Sequence, residues 1–247
     1  MANKQLHIIY ELSINTLEFS TQLEHALQTT QYSSISITNK KPKTPSIEII
    51  TKIQNLNPKL HIIPYYSLKY HQKKTLLDTT REFVNYLKTL YKMEIKETLL
   101  VSGVPKPKYD SLLILKNLKD LGISDQIPKI AISYNPFLSS MDLELENTRI
   151  QEKIQTGLIS SIYFQIGVDL EIIREAVYKL RELDTNVKIY LSLINPSISR
   201  LSQLRYRPWK GVYLPEQYLS STKNANIINQ SIYNLANEIQ LGIIQGD

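Results

Sequence analysis

The chain has 247 residues, 42% of them hydrophobic, and no cysteine. That excludes disulfides, thiolate metal sites and a cysteine nucleophile, while allowing one domain with a sizeable core. The formal net charge of +6 and a pI near 9.2 suit anionic partners, but the basic residues are dispersed and no RNA-binding signature interleaves them with aromatics, so nucleic acid is not the expected partner.

The N-terminal apolar segment is too short for a signal peptide, and nothing approaches the roughly 18 apolar residues of a membrane span. A soluble, cytoplasmic protein without a membrane partner is the expectation. Only 7 glycines occur. Neither G-x-G-x-x-G nor G-x-x-x-x-G-K-[ST] is present, so the Rossmann and P-loop signatures are missing.

Short β-branched runs alternate with longer stretches of helical period. Leu6–Ile14 reads as the first strand, and Leu17–Thr29 as a helix. Ser33–Thr38 is the second strand. Thr44–Leu56 opens on Thr-Pro-Ser, a helix-start signal, and puts Ile47, Ile50 and Ile53 on one face. Leu60–Tyr66 is the third strand, followed by a long helix over Lys73–Lys92. Thr98–Ser102 is the fourth, with a helix over Ser111–Leu121 that stops at Gly122. Lys129–Tyr134 is the fifth, with a helix over Leu143–Thr156 that stops at Gly157. Ser161–Ile166 and Lys188–Ile194 are the sixth and seventh, with helices over Leu170–Leu183 and Ile198–Leu204. Gly211–Leu214 is expected as the eighth strand, and Ala225–Leu241 as the closing helix.

Eight strand–helix units in one chain are what a closed (β/α)₈ TIM barrel requires, read here as a single domain over residues 1–247. A doubly wound open sheet competes, but it normally uses fewer strands and a glycine-rich first turn. In a barrel the chemistry lies at the C-terminal strand ends. The candidates there are Glu11 with Ser13 and Asn15, Thr38 with Asn39, Tyr66 with Ser67 and Lys69, Ser102 with Gly103, Tyr134 with Asn135, Gln165, Asn195, and Glu216 with Gln217.

Glu11, flanked by apolar residues, suits a general acid whose proton is held by desolvation; a lysine-paired strand-end carboxylate is the blander reading. Gln165 ends an apolar strand and suits substrate orientation, or a satisfied polar residue of a barrel layer. Arg149 and Lys153, four apart on one helix, suit a phosphate, or a solvated face. The 4 histidines are scattered without metal-ligand spacing, and no G-x-S-x-G is present.

In their order along the chain, these strand ends resemble the methylenetetrahydrofolate reductase family, flavin-dependent (β/α)₈ barrels of one-carbon metabolism. The resemblance is carried by Tyr10-Glu11-Leu12 on the first strand and Ser36-Ile37-Thr38 on the second. It continues in Lys153-Ile154-Gln155-Thr156-Gly157, Gln165 with Asp169, Leu193-Ile194-Asn195-Pro196, and Gly211-Val212-Tyr213-Leu214-Pro215.

It implies an oxidoreductase that transfers a hydride to a methylene-tetrahydrofolate or modified tetrahydropterin. Glu11 would be the proton donor and Gln165 the residue that orients the pterin. Thr38 and the polar residues after strands three to five (Ser67, Ser102, Gly103 and Tyr134) would hold FAD, with Arg149 and Lys153 as phosphate partners. The chain departs from the pattern at Ser102-Gly103-Val104-Pro105, where the family has Arg-Gly-Asp-Pro. It departs again at Glu152, where arginine is common, and at Tyr65, in place of a histidine. Those losses remove charges beside the flavin and pterin, so NAD(P)H as the direct donor stands beside FAD. A barrel that binds a pterin without turning it over is the alternative. A homo-oligomer or a complex with an accessory protein is the expected assembly.

Overall fold

The computed structural model describes residues 6–12, 27, 33–38, 47–103, 107–123 and 126–246. The elements, in chain order, are β1 (Ile8–Leu12), β2 (Ser34–Ile37), α1 (Ile47–Leu56), β3 (His61–Ser67), α2 (Leu68–His71), α3 (Leu76–Lys92), β4 (Glu97–Val101) and α4 (Ser111–Asp120). They continue with β5 (Lys129–Tyr134), α5 (Ser140–Ile154), β6 (Ile159–Phe164), α6 (Leu170–Leu183), β7 (Lys188–Ile194), α7 (Ile198–Tyr206), α8 (Glu216–Ser220), α9 (Thr222–Glu238) and β8 (Gly242–Gly246). The strands close in sequence order into an eight-stranded barrel, with β1–β2, β3–β4 and β7–β8 among its parallel pairs. This is the (β/α)₈ architecture expected of eight successive strand–helix units. The helix expected over Leu17–Thr29 lies outside the described residues except for Leu27, which is buried. Ser13, Asn15, Asn39 and Val104 lie outside them too.

Two compact units are distinguished within the chain. One comprises Ile9–Ser133 and Gln151–Ser160; the other comprises Met1–Ile8, Tyr134–Ile150 and Ser161–Asp247. In the first, β1 to β5 pair in register, with Glu11 beside Ser36, Ser36 beside Ile63, and Tyr65 beside Leu99. Side chains alternate across a strand. Ile35, Ile37 and Ile62 therefore join Ile50 and Ile53 of α1 in one apolar cluster, with Tyr10 and Leu12 packed against it. The alternate residues Glu11, Ser36 and Tyr65 point to the other side of the sheet. Helix α3 buries Phe83, Val84, Leu87 and Leu90 and is capped by Thr75, which accepts from Asp78 N. Helix α4 is capped by Asp110 on Leu112 N and Leu113 N. It stops where Gly122 takes φ 65°, a left-handed turn that glycine accommodates without steric cost.

In the second unit, Asp169 caps α6, Ser197 caps α7 and Ser221 caps α9. The eighth strand is not where the sequence reading puts it. Gly211–Leu214 makes one isolated parallel bridge, Tyr213 with Gly167, whereas Gly242–Gly246 pairs along β7 from Tyr190 to Ile194. The physical reason lies in the neighbours. Gly211 has φ +80° and Pro215 follows four residues on, so that segment is too short and too bent for a ladder. Gly242 carries no Cβ, and one placed there would stand 2.2 Å from the Tyr190 ring. Only glycine lets the last strand close against that ring. Glu216 and Gln217, expected at the eighth strand end, accordingly lie in α8.

Candidate functional site

Within the first unit a polar cluster forms on the strand face that alternation turns away from the helices. The Tyr65 hydroxyl donates to Glu11 Oε2 at 2.7 Å, and Ser36 Oγ lies 3.4 Å from the same phenol oxygen. Three strands supply these groups, and the β1–β2 register sets Glu11 directly beside Ser36. Burial, and then the negative charge of Glu11, hold the Tyr65 phenol well above its usual range. Tyr65 therefore stays a donor at any physiological pH, and Glu11 keeps a fixed hydrogen-bond partner. A carboxyl group positioned by a neutral phenol can hold and pass a proton at one defined oxygen.

The loop after β4 is bound to the segment after β3. Lys69 N donates to Ser102 O at 3.1 Å. Gly103 has φ +89°, and a Cβ there would lie 2.8 Å from Ser67 Oγ and 2.9 Å from Lys69 Cδ. Glycine is thus required both for the backbone conformation and for the close approach. Lys69 Nζ sits 4.6 Å from the centre of the Tyr70 ring, placing a cation beside this turn.

Thr38 is buried, and its hydroxyl donates to Leu12 O at 3.4 Å. Ser67 is buried at the end of β3. Ser102 Oγ accepts from Ser111 N at 3.0 Å and pairs with Ser111 Oγ at 3.2 Å, fastening the start of α4. Tyr134 donates to Asn147 Oδ1 at 2.6 Å, and its phenol is pushed up to about 12 by burial, with Glu146 adding to it. Gln165 follows β6; its backbone N–H donates to Tyr134 O at 2.8 Å and its side-chain Oε1 accepts from Ile166 N at 3.0 Å. That leaves the side-chain NH₂ as its donor end.

Arg149 Nε lies 4.0 Å from Glu146, and Lys153 is buried. Arg149 and Lys153 belong to different compact units, as do Glu11 and Gln165. Glu152, standing where the resembling family has arginine, pairs with Lys116.

The hydroxyls of Thr38, Ser102 and Tyr134 are each engaged inside the fold. A dinucleotide's diphosphate needs cations or backbone donors aimed at it, which these three hydroxyls do not supply. No group of three or more His, Cys, Asp or Glu residues suited to a metal ion occurs among the described residues. None of their helices is long and apolar enough to cross a membrane.

Two features escaped the sequence reading. Tyr65 was visible only as a residue in place of a histidine; its bond to Glu11 spans 54 positions and depends on strand register. Glu97, buried at the start of β4, accepts from Ser160 Oγ at 3.2 Å. It stands at the strand end opposite to the one that carries barrel chemistry, where a polar pair serves stability.

No protein-family model matches the chain, and no curated protein matches it in sequence. Solved structures do match in fold. A Clostridium thermocellum protein that binds two copies of 5-methyl-5,6,7,8-tetrahydrofolic acid superposes with a TM-score of 0.67 at 14% identity, over 99% of this chain and 89% of that one. Active domain 2 of a Pyrococcus furiosus chitinase gives 0.61 at 9% identity, over 97% and 83%. A Thermobacillus composti GH10 xylanase gives 0.61 at 12% identity, over 98% and 83%. At these identities the likeness is one of fold.

Proposed function

We propose that this barrel binds a reduced folate or a modified tetrahydropterin at its strand ends and reduces the one-carbon unit that the ligand carries. The observation that carries the reading is the Tyr65–Glu11 pair at 2.7 Å, on the strand that resembles the glutamate-bearing strand of methylenetetrahydrofolate reductases. The fold likeness to a protein that binds 5-methyl-tetrahydrofolic acid supports the ligand class.

Hydride addition to a methylene-tetrahydrofolate forms a C–H bond and breaks the bond from that carbon to one of its two nitrogens. The released nitrogen takes a proton. Glu11, protonated in the reacting complex, supplies that proton, and Tyr65 holds the carboxyl group in place before and after the transfer. The hydride comes from NAD(P)H acting as a co-substrate. The basic net charge favours the glutamate tail of a folate.

A second reading, a barrel that binds the pterin without turning it over, is favoured by one observation: hydroxyls that the resemblance gives to a flavin are occupied within the fold. Calorimetric titration with 5-methyltetrahydrofolate tests both readings, and saturable binding weakened by Glu11→Gln is expected. NAD(P)H oxidation with methylene-tetrahydrofolate, with and without added FAD, then separates them. Binding without turnover in either condition supports the second reading, and no binding refutes both.

A further inference from the structure

We propose that a cavity of about 730 Å³ walled by Trp209, in the second unit, is a binding site for a neutral aromatic small molecule. None of its lining residues belongs to the Glu11–Tyr65 cluster, and the inference stands apart from the proposed pterin chemistry.

The volume lies within the range of small-molecule pockets. The lining is aromatic and aliphatic, with Phe137, Trp209 and Tyr213 supplying rings. Among the described residues no Lys, Arg or His lines it, and Asp169 is the one charged residue of that lining. Asp169 Oδ1 is already occupied as the cap of α6, accepting from Glu171 N and Ile172 N at 3.1 Å each. In a chain of net charge +6, a lining whose described residues include no cation offers an anion no charged partner inside the cavity. Apolar walls with few polar groups select a ring system that needs few hydrogen bonds.

The walls are pre-formed. The segment carrying Val212 and Tyr213 is held by the Gly167–Tyr213 bridge and by Asn135 Nδ2 donating to Gly211 O at 2.9 Å. The Phe137 ring packs onto Gly167 so closely that a Cβ there would lie 2.2 Å away. The Arg200 guanidinium stands 5.3 Å from the centre of the Trp209 ring. A wall fixed from three directions asks little ordering entropy of a ligand.

Trp209 is the chain's one tryptophan, so its emission reports from the cavity wall. The full chain is titrated with N-phenyl-1-naphthylamine, a neutral dye, and separately with 8-anilino-1-naphthalenesulfonate, which carries a sulfonate on the same kind of ring system. Saturable binding of one neutral dye with quenching of Trp209 is expected, and binding of the sulfonate at least about tenfold weaker. Val212→Phe and Ile228→Phe, which each place a ring in the cavity, are expected to weaken the neutral dye at least about tenfold; circular dichroism checks that each variant is folded. Absence of saturable binding to the unmodified protein overturns the proposal, as does equal affinity for the two dyes or unchanged affinity in both folded variants. The two-dye comparison needs no variant, so a misfolded substitution does not leave the question open.

Discussion

The Tyr65–Glu11 pair can be tested by a double-mutant cycle. Tyr65→Phe deletes the phenol oxygen and keeps the ring. The lost bond is short, at 2.7 Å, and ends on a carboxylate. Hydrogen bonds to charged groups contribute about 1.5–3 kcal/mol. Tyr65→Phe is therefore expected to lower stability by about 2 kcal/mol at pH 7. Glu11→Ala removes the acceptor and leaves the phenol with Ser36 at 3.4 Å as its remaining neighbour in the cluster. The double variant is expected to lose less than the two single losses together, with a coupling of about 1–2 kcal/mol. Urea unfolding of the four proteins at fixed pH measures it. Losses that add within about 0.5 kcal/mol would mean that the two groups do not act together, and proton delivery by a positioned Glu11 would lose its structural basis. If turnover is observed, Tyr65→Phe should also move the pH profile of kcat more than it moves KM, which a merely structural tyrosine would not do.

Other consequences follow from the same geometry. Gly103→Ala forces a side chain into φ +89° with Ser67 Oγ at 2.8 Å; a loss of about 1–3 kcal/mol in thermal or urea unfolding is expected, and a neutral outcome would refute the packing described for that loop. Gly242→Ala brings a methyl group to 2.2 Å from the Tyr190 ring. It should cost about 1–3 kcal/mol, and Tyr190→Val in the same chain should restore part of it; lack of rescue counts against the strand assigned to Gly242–Gly246. Burial is the leading cause that holds the phenols of Tyr65, Tyr66 and Tyr86 well above 10, and it pushes Tyr134 and Tyr218 up to about 12. Each favours the protonated form in the fold, so its contribution is intact below pH 10. Above that it falls by about 1.4 kcal/mol per pH unit as the unfolded chain ionises, until the folded group titrates too. Absorbance at the tyrosinate band should therefore rise in two stages, the later one coinciding with loss of circular dichroism; one smooth titration with the fold retained would contradict it.

Local chemistry was legible in the sequence wherever one short segment decides the outcome. Leu170–Leu183 is a helix with those same bounds because Asp169 caps it and its apolar residues repeat at helical spacing. Gly122 and Gly157 stop their helices at positive φ, as their place after an apolar run implies. The eighth strand failed because the decisive fact is distant. Gly211–Leu214 and Gly242–Gly246 are both short and apolar, and what selects between them is the Tyr190 ring, which only a glycine can accept. The site divides the same way. A sequence shows that a strand end carries a hydroxyl or a carboxyl group, but not where its hydrogen bond goes. Ser102 and Thr38 read as ligand donors, yet the first fastens Ser111 and the second binds Leu12 O. Tyr65 read as a lost histidine, yet it is the residue that holds Glu11. A polar residue at a strand end is therefore not by itself a ligand contact, because the fold can use the same atoms to fasten its own loops.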